Sequence, residues 1–206
     1  MTNATSAASA ATSSEIWTGL IAGGITHAIS GLGDLVGEEV RTTFISPRTL
    51  PASQVNELIG GPETDVVAIH LGVKGEATGH ILVMFKPATA FELVNMLLDR
   101  EPGSAYELDE LALSTMGEMG NVMGAYFLSA LGDATGVRLM PSPPTVMMDM
   151  AGAVIDAAVA DIMGDGDDIL VVETRFGTAN QQIHGIFLVL PNPQLKEVLL
   201  DRWAKQ

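Results

Sequence analysis

The stretch STMGEMGNVMG, residues 114–124, holds the residue types in this chain best suited to chemistry. Ser114, Glu118 and Asn121 fall at i, i+4 and i+7, so a helix aligns a hydroxyl, a carboxylate and a carboxamide along one face. A carboxylate can pair with a cation, and a neutral carboxamide can accept a hydrogen bond from water while its NH₂ donates elsewhere. From Leu111 to Leu131 the sequence is otherwise uncharged, unlike a helix face that merely meets water. Gly117, Gly120 and Gly124 flank the stripe, each costing about 1 kcal/mol of helix propensity relative to Ala. Their lack of bulk admits either the close approach of another molecule or close packing of the helix on a sheet.

Such a helix needs a scaffold, and the chain supplies one twice. Gly31-Leu32-Gly33-Asp34 matches Ala130-Leu131-Gly132-Asp133 at an offset of 99. Gly79-His80-Ile81-Leu82-Val83 matches Gly185-Ile186-Phe187-Leu188-Val189 at an offset of 106, and the acidic run 161–168 is the expected place for the extra length. Each half reads as helix, short extended segment, short helix, two apolar strands and helix. The strands are Asp65–Val73 with Gly79–Phe85, and Asp168–Phe176 with Ile183–Leu190. Their Gly-containing connections predict antiparallel hairpins. Helices follow at Ala88–Leu98 and Gln194–Trp203. The expected fold class is α+β: a single domain over residues 15–206, an antiparallel sheet with packed helices, built from two pseudo-twofold repeats. Repeat one covers about residues 15–100 and repeat two about 109–203. Residues 1–14, small and polar without Lys or Arg, read as a disordered tail and not as a signal peptide.

The stripe resembles the active-site helix of the CheC/CheX/FliY family of chemotaxis phosphatases. The family pattern is Asp or Ser, three residues, Glu, two residues, Asn, twenty-two residues, Pro. Ser114, Glu118 and Asn121 fit it, with Pro144 of Pro141-Ser142-Pro143-Pro144 at the last position. With the repeat and the strand pairs, the resemblance extends over nearly all of residues 15–200. It implies hydrolysis of the phosphoaspartate of a CheY-like response regulator, closest to the CheC type. The regulator would bring its own Mg²⁺ and lysine, and this chain would bind no cofactor or metal. Asn121 would orient the attacking water, Glu118 would pair with a cation on the regulator, Ser114 would support that geometry and Pro144 would stiffen the adjacent loop. The offset of 99 carries Glu118 onto Gly19, Asn121 onto Ala22 and Pro144 onto Ile45, so the first copy should be catalytically empty. The resemblance also implies an alternative, an interaction protein that binds the CheD receptor deamidase or a regulator and has weak phosphatase activity. Asp149 and the Met150–Met163 segment are then the expected CheD-docking surface. The sequence ends at Gln206 just after the second repeat, which points away from a flagellar-switch FliY with a further C-terminal domain.

Composition excludes several other classes. A net charge of −15 without a basic patch argues against nucleic acid. No apolar run approaches the roughly 18 residues that span a bilayer, so no membrane partner is expected. The absence of cysteine excludes disulfides and thiolate metal sites and fits a cytoplasmic protein. His27, His70, His80 and His184 lack ligand-like spacing and are expected in ordinary polar roles. The acidic run 161–168 lacks the order of an EF-hand loop, and Gly60-Gly61-Pro62 reads as a turn with no phosphate-loop Lys after it. Met116, Met119, Met123, Met147, Met148 and Met150 suggest an adaptable core, those near the stripe being candidates for a docking surface.

Overall fold

The structure, a computed structural model, describes residues 2–101, 103–104, 107–160, 168–179 and 182–205. The first half runs through α1 (Thr2–Gly31), the single turn α2 (Gly33–Val36), β1 (Arg41–Pro51) and α3 (Ala52–Val55) with a 3₁₀ turn at Asn56–Leu58. It continues with the hairpin β2 (Asp65–Gly75) and β3 (Gly79–Phe85), then α4 (Pro87–Leu97). The second half repeats that order: α5 (Glu110–Thr135), β4 (Leu139–Pro141) and β5 (Thr145–Met150), α6 (Ala151–Ala160), the hairpin β6 (Asp168–Gly177) and β7 (Gln182–Pro191), and α7 (Pro193–Trp203). The expected elements are present, with ends that differ by a few residues. Helix α1 begins at Thr2, within the residues 1–14 read as a tail, where Ala4, Ala7, Ala8, Ala10 and Ala11 are strong helix formers. The acidic run expected to hold the extra length lies, through residue 167, outside the described residues.

All the strand pairings are antiparallel, in the order β1-β6-β7-β3-β2-β4, with β5 also on β2. The halves exchange their edges: β1 of the first pairs with β6 of the second, whereas β4 and β5 of the second pair with β2 of the first. The symmetry axis can be located from the register. A residue on a twofold axis meets its own counterpart, and Leu82 pairs with Leu188, which the offset of 106 carries it onto. In the helical layer His27 and Tyr126, related by the offset of 99, put their ring centroids 5.3 Å apart. Tyr126 also donates its hydroxyl to Asp34, whose carboxylate raises the phenol above its usual range.

The sheet separates two apolar layers. Val67, Ile69, Leu71, Ile81, Val83, Phe85, Phe187 and Val189 face α1, α4, α5 and α7. Val66, Ala68, Leu82, Met84, Ile186 and Leu188 face the other way, toward Val55 of α3, Ile59 and the α6 residues Ala151, Val154 and Ile155. Burial on both faces explains why the inner strands are continuously apolar and show little alternation. The expectation that no segment is long and apolar enough to cross a membrane needs correcting. Helical residues Ser13–Val36 meet that test by length and composition, with Glu15 and Asp34 the acidic residues among them and no Lys or Arg. In the structure 44% of that apolar window is buried, with Trp17, Ile21, Ile25, Ile29 and Leu32 in the core shared with α5.

Gly185 on β7 lies against Phe85, where an added Cβ would stand 2.8 Å from the ring. Both residues are buried and belong to different halves, so overpacking there strains both. Gly185→Val is expected to lower stability by about 1–3 kcal/mol, measured by urea denaturation. An unchanged midpoint would show that the Phe85 ring yields freely.

Candidate active site

The helix carrying the stripe is defined at both ends by its caps. Asp109 is the N-cap, its Oδ1 accepting from the Ala112 N–H at 2.7 Å, and Glu110 adds negative charge to the positive end of the helix. Gly136 ends it in the left-handed conformation (φ 70°), its N–H bonded to the Gly132 carbonyl. Between the caps, Ala112, Met116, Met119, Met123, Phe127 and Leu131 enter the core between α1 and the sheet. The methionines beside the stripe are therefore packing residues, and the exposed ones are Met140, Met148 and Met150 on β4 and β5. On the opposite face Ser114, Glu118 and Asn121 are exposed, preceded by exposed Leu111 and followed by Ala125 and Ser129. Among the described residues no cation forms a salt bridge with Glu118, so its carboxylate is available to a partner.

The glycines divide by role. A Cβ on Gly120 would lie 2.5 Å from Ile69 Cγ2 and 3.3 Å from Pro144 Cβ. One on Gly124 would lie 2.8 Å from Leu71 Cδ2 and 3.3 Å from Pro141 Cβ. Both serve close packing on β2 and on the β4–β5 connection, and neither opens the helix to another molecule. Only Gly117 leaves room for another molecule's approach, being half-buried with Val146 Cγ2 4.0 Å from a would-be Cβ. This packing brings Pro144 to the turn of α5 that carries Asn121. The structure thus gathers the four positions of the sequence pattern: Ser114, Glu118 and Asn121 along one exposed face, and Pro144 against Gly120.

Other candidates lie elsewhere. In the first half Gly19 and Ala22 occupy the matching part of α1, beside a shallow apolar cleft of about 330 Å³ lined by Ile16, Gly19, Leu20, Gly23, Ala130 and Trp203. Ile45, the counterpart of Pro144, packs against the core from β1. Asp149 is exposed on β5, its Oδ1 accepting from the Met150 N–H at 2.8 Å. Within the Met150–Met163 segment, α6 buries Ala151, Val154, Ile155 and Ala158, so that face is structural, and residues 161–163 lie outside the described residues.

The histidines hold one arrangement that sequence spacing hides. His70 and His80 stack across the β2–β3 hairpin, with Nε2 and Nδ1 2.7 Å apart. The signal was hairpin register, since His70 and Gly72 lie on one face of β2 and Gly72 opposes His80. Among the described residues no three His, Asp or Glu side chains converge as a metal site would need.

Because Ile69 is β-branched and buried, it cannot retreat from a methyl group on Gly120. Gly120→Ala is expected to cost about 1–3 kcal/mol and to displace the Pro144 loop. Urea denaturation and backbone chemical shifts of residues 142–146 would check this, and unchanged values would show that the helix–loop contact is slack.

Residues 67–163 match the family model described as chemotaxis phosphatase CheX. The CheY-P phosphatase CheC of Bacillus subtilis is 27% identical over 162 residues, 77% of this chain and 78% of that protein. The CheY-P phosphatase CheX of Thermotoga maritima is 32% identical over 121 residues, 58% of this chain and 74% of that one. Among solved structures, Thermotoga maritima FliY superposes with a TM-score of 0.72 at 14% identity, over 94% of this chain and 96% of that one, a likeness of fold. These matches establish that the chain belongs to the CheC/CheX/FliY family of chemotaxis phosphatases.

Proposed function

We propose that this protein hydrolyses the phosphoaspartate of a CheY-like response regulator, in the cytoplasm, through one site on α5. The observation that carries the reading is that Glu118 and Asn121 stand exposed, one turn apart, on the outward face of a helix whose inner face lies in the core, with Pro144 packed against Gly120. Both relatives are named as phosphatases of phosphorylated CheY, which supports the substrate class.

Phosphoaspartate is an activated acyl phosphate. Water attacks phosphorus, the bond from phosphorus to the aspartyl oxygen breaks, and aspartate carboxylate and inorganic phosphate leave. The regulator contributes Mg²⁺ and a lysine that neutralise charge, so the phosphatase has mainly to place the water in line. The Asn121 carboxamide oxygen accepts a hydrogen bond from that water, while its NH₂ donates to the phosphoryl group or to the regulator. Glu118 pairs with a cation on the regulator and sets the docking angle. Ser114, one turn earlier, supports that contact. Gly19 and Ala22 can do neither task, which leaves a single site per chain.

Phosphate release from a regulator loaded with acetyl phosphate tests this reading. The wild type should stimulate release, Asn121→Ala should lose on the order of 10²-fold with its fold intact, and Glu118→Ala should weaken regulator binding as well. EDTA should abolish release by stripping the regulator, while the purified phosphatase alone should bind no stoichiometric metal. Near-normal turnover by Asn121→Ala would sink the mechanism.

A second reading, binding of a CheD deamidase, is favoured by one feature. Asp149 is an exposed carboxylate on β5, and its strand neighbours Met148 and Met150 are exposed on the opposite face. Asp149→Lys should lower affinity for a cognate CheD without changing phosphate release. Equal affinity by titration calorimetry would remove Asp149 from that interface.

A further inference from the structure

The connection Pro141-Ser142-Pro143-Pro144 joins β4 to β5, and its backbone has one hydrogen-bond donor. Proline has no N–H, so only Ser142 can donate from the main chain. That N–H goes to the Gly72 carbonyl at 2.7 Å. The Ser142 Oγ accepts from the Gly72 N–H at 2.8 Å and donates to the Pro143 carbonyl at 3.2 Å. One residue therefore closes both backbone groups of Gly72 and ties down the next peptide. Gly72 leaves the space for it, since a Cβ there would stand 3.3 Å from the Ser142 Oγ.

The register explains what is being held. On one side Pro141 pairs with Val73, and on the other Thr145 pairs with His70. Residues 142–144 thus oppose only Leu71 and Gly72, a bulge of one residue that bends the strand and re-aims its side chains. The bulge turns Pro144 toward Gly120, beside Asn121. The first half has the same device in weaker form. Pairing of β1 with β6 slips by one between Thr42 and Phe44, and the Thr43 Oγ1 donates to the Arg175 carbonyl at 3.2 Å. The offset of 99 carries Thr43 onto Ser142. A hydroxyl-clamped bulge is therefore built twice, and only the second copy ends on a proline beside a carboxamide.

We propose that Ser142 is a positioning residue of the phosphatase site: its clamp on Gly72 holds the bulge that seats Pro144 against Gly120 and so fixes the wall beside the water bound by Asn121. This role rests on the phosphatase reading above. Ser142 lies outside the four-position pattern and touches no reacting atom. Without the Oγ the Gly72 N–H loses its acceptor, while the Ser142 N–H still reaches the Gly72 carbonyl. The bulge then stays in place but loosens, and turnover suffers more than docking.

The test compares Ser142→Ala and Ser142→Thr with the wild type in the acetyl-phosphate assay. Affinity for the beryllofluoride-loaded regulator and hydrogen exchange at the Gly72 amide are read in parallel. Ser142→Ala should lower kcat on the order of 10-fold, leave regulator affinity within about twofold and speed Gly72 exchange. Ser142→Thr should restore kcat, because Thr43 shows that the fold accepts threonine at this place in a bulge. Wild-type kcat in Ser142→Ala overturns the positioning role, as does a parallel fall in affinity and melting temperature, the mark of a merely structural residue. Lack of stimulation by the wild type itself would instead overturn the phosphatase reading and this role with it.

Discussion

The close approach of α5 to β2 is the constraint on which the site depends. Gly120 and Gly124 remove the side chains that would hold the helix off Ile69 and Leu71, and the same two positions receive Pro144 and Pro141. A helix with alanines there would stand further from the sheet, and the β4–β5 connection would lose its seat. The propensity lost at each glycine, about 1 kcal/mol relative to Ala, is offset by burial of the Met116, Met119 and Met123 face in one continuous core. The outward face is thereby fixed relative to the sheet, as the proposed orientation of a water requires.

Exchange of edge strands between the halves makes that geometry possible. The β4–β5 segment completes the sheet of the other half, so the loop over α5 is tied to β2, an element of the first repeat. Neither repeat has a finished sheet alone. The axis through Leu82–Leu188 and His27–Tyr126 relates two sites of equal backbone opportunity. The residues of the family pattern stand in only one of them. The first retains the helix and the clamped bulge but has Gly19, Ala22 and Ile45 where the second has Glu118, Asn121 and Pro144.

In the proposed reaction the protein has little chemistry of its own to supply. An acyl phosphate is already activated and its charge is neutralised by the regulator's ion and lysine, so a neutral carboxamide and a docking carboxylate suffice. This suits a site on a helix that is otherwise uncharged from Leu111 to Leu131. It also places the demand on backbone geometry, which explains why a glycine, a bulge and a run of prolines surround two polar side chains.

Much of this was legible in the chain itself. Helical spacing put Ser114, Glu118 and Asn121 on one face, because a period of 3.6 is a local property of the backbone. The repeat offsets anticipated the order of elements, since repeated halves keep their register. The family pattern pointed to Pro144. Other features came only from tertiary structure, for a physical reason: they depend on contacts between residues far apart in sequence. Whether the glycines served an approaching partner or internal packing was decided by Ile69 and Leu71 on another strand. The stacking of His70 on His80 required hairpin register, and the clamp of Ser142 on Gly72 required edge exchange, across 70 positions of chain. Sequence determined which residues share a face, and the fold decided what each face meets.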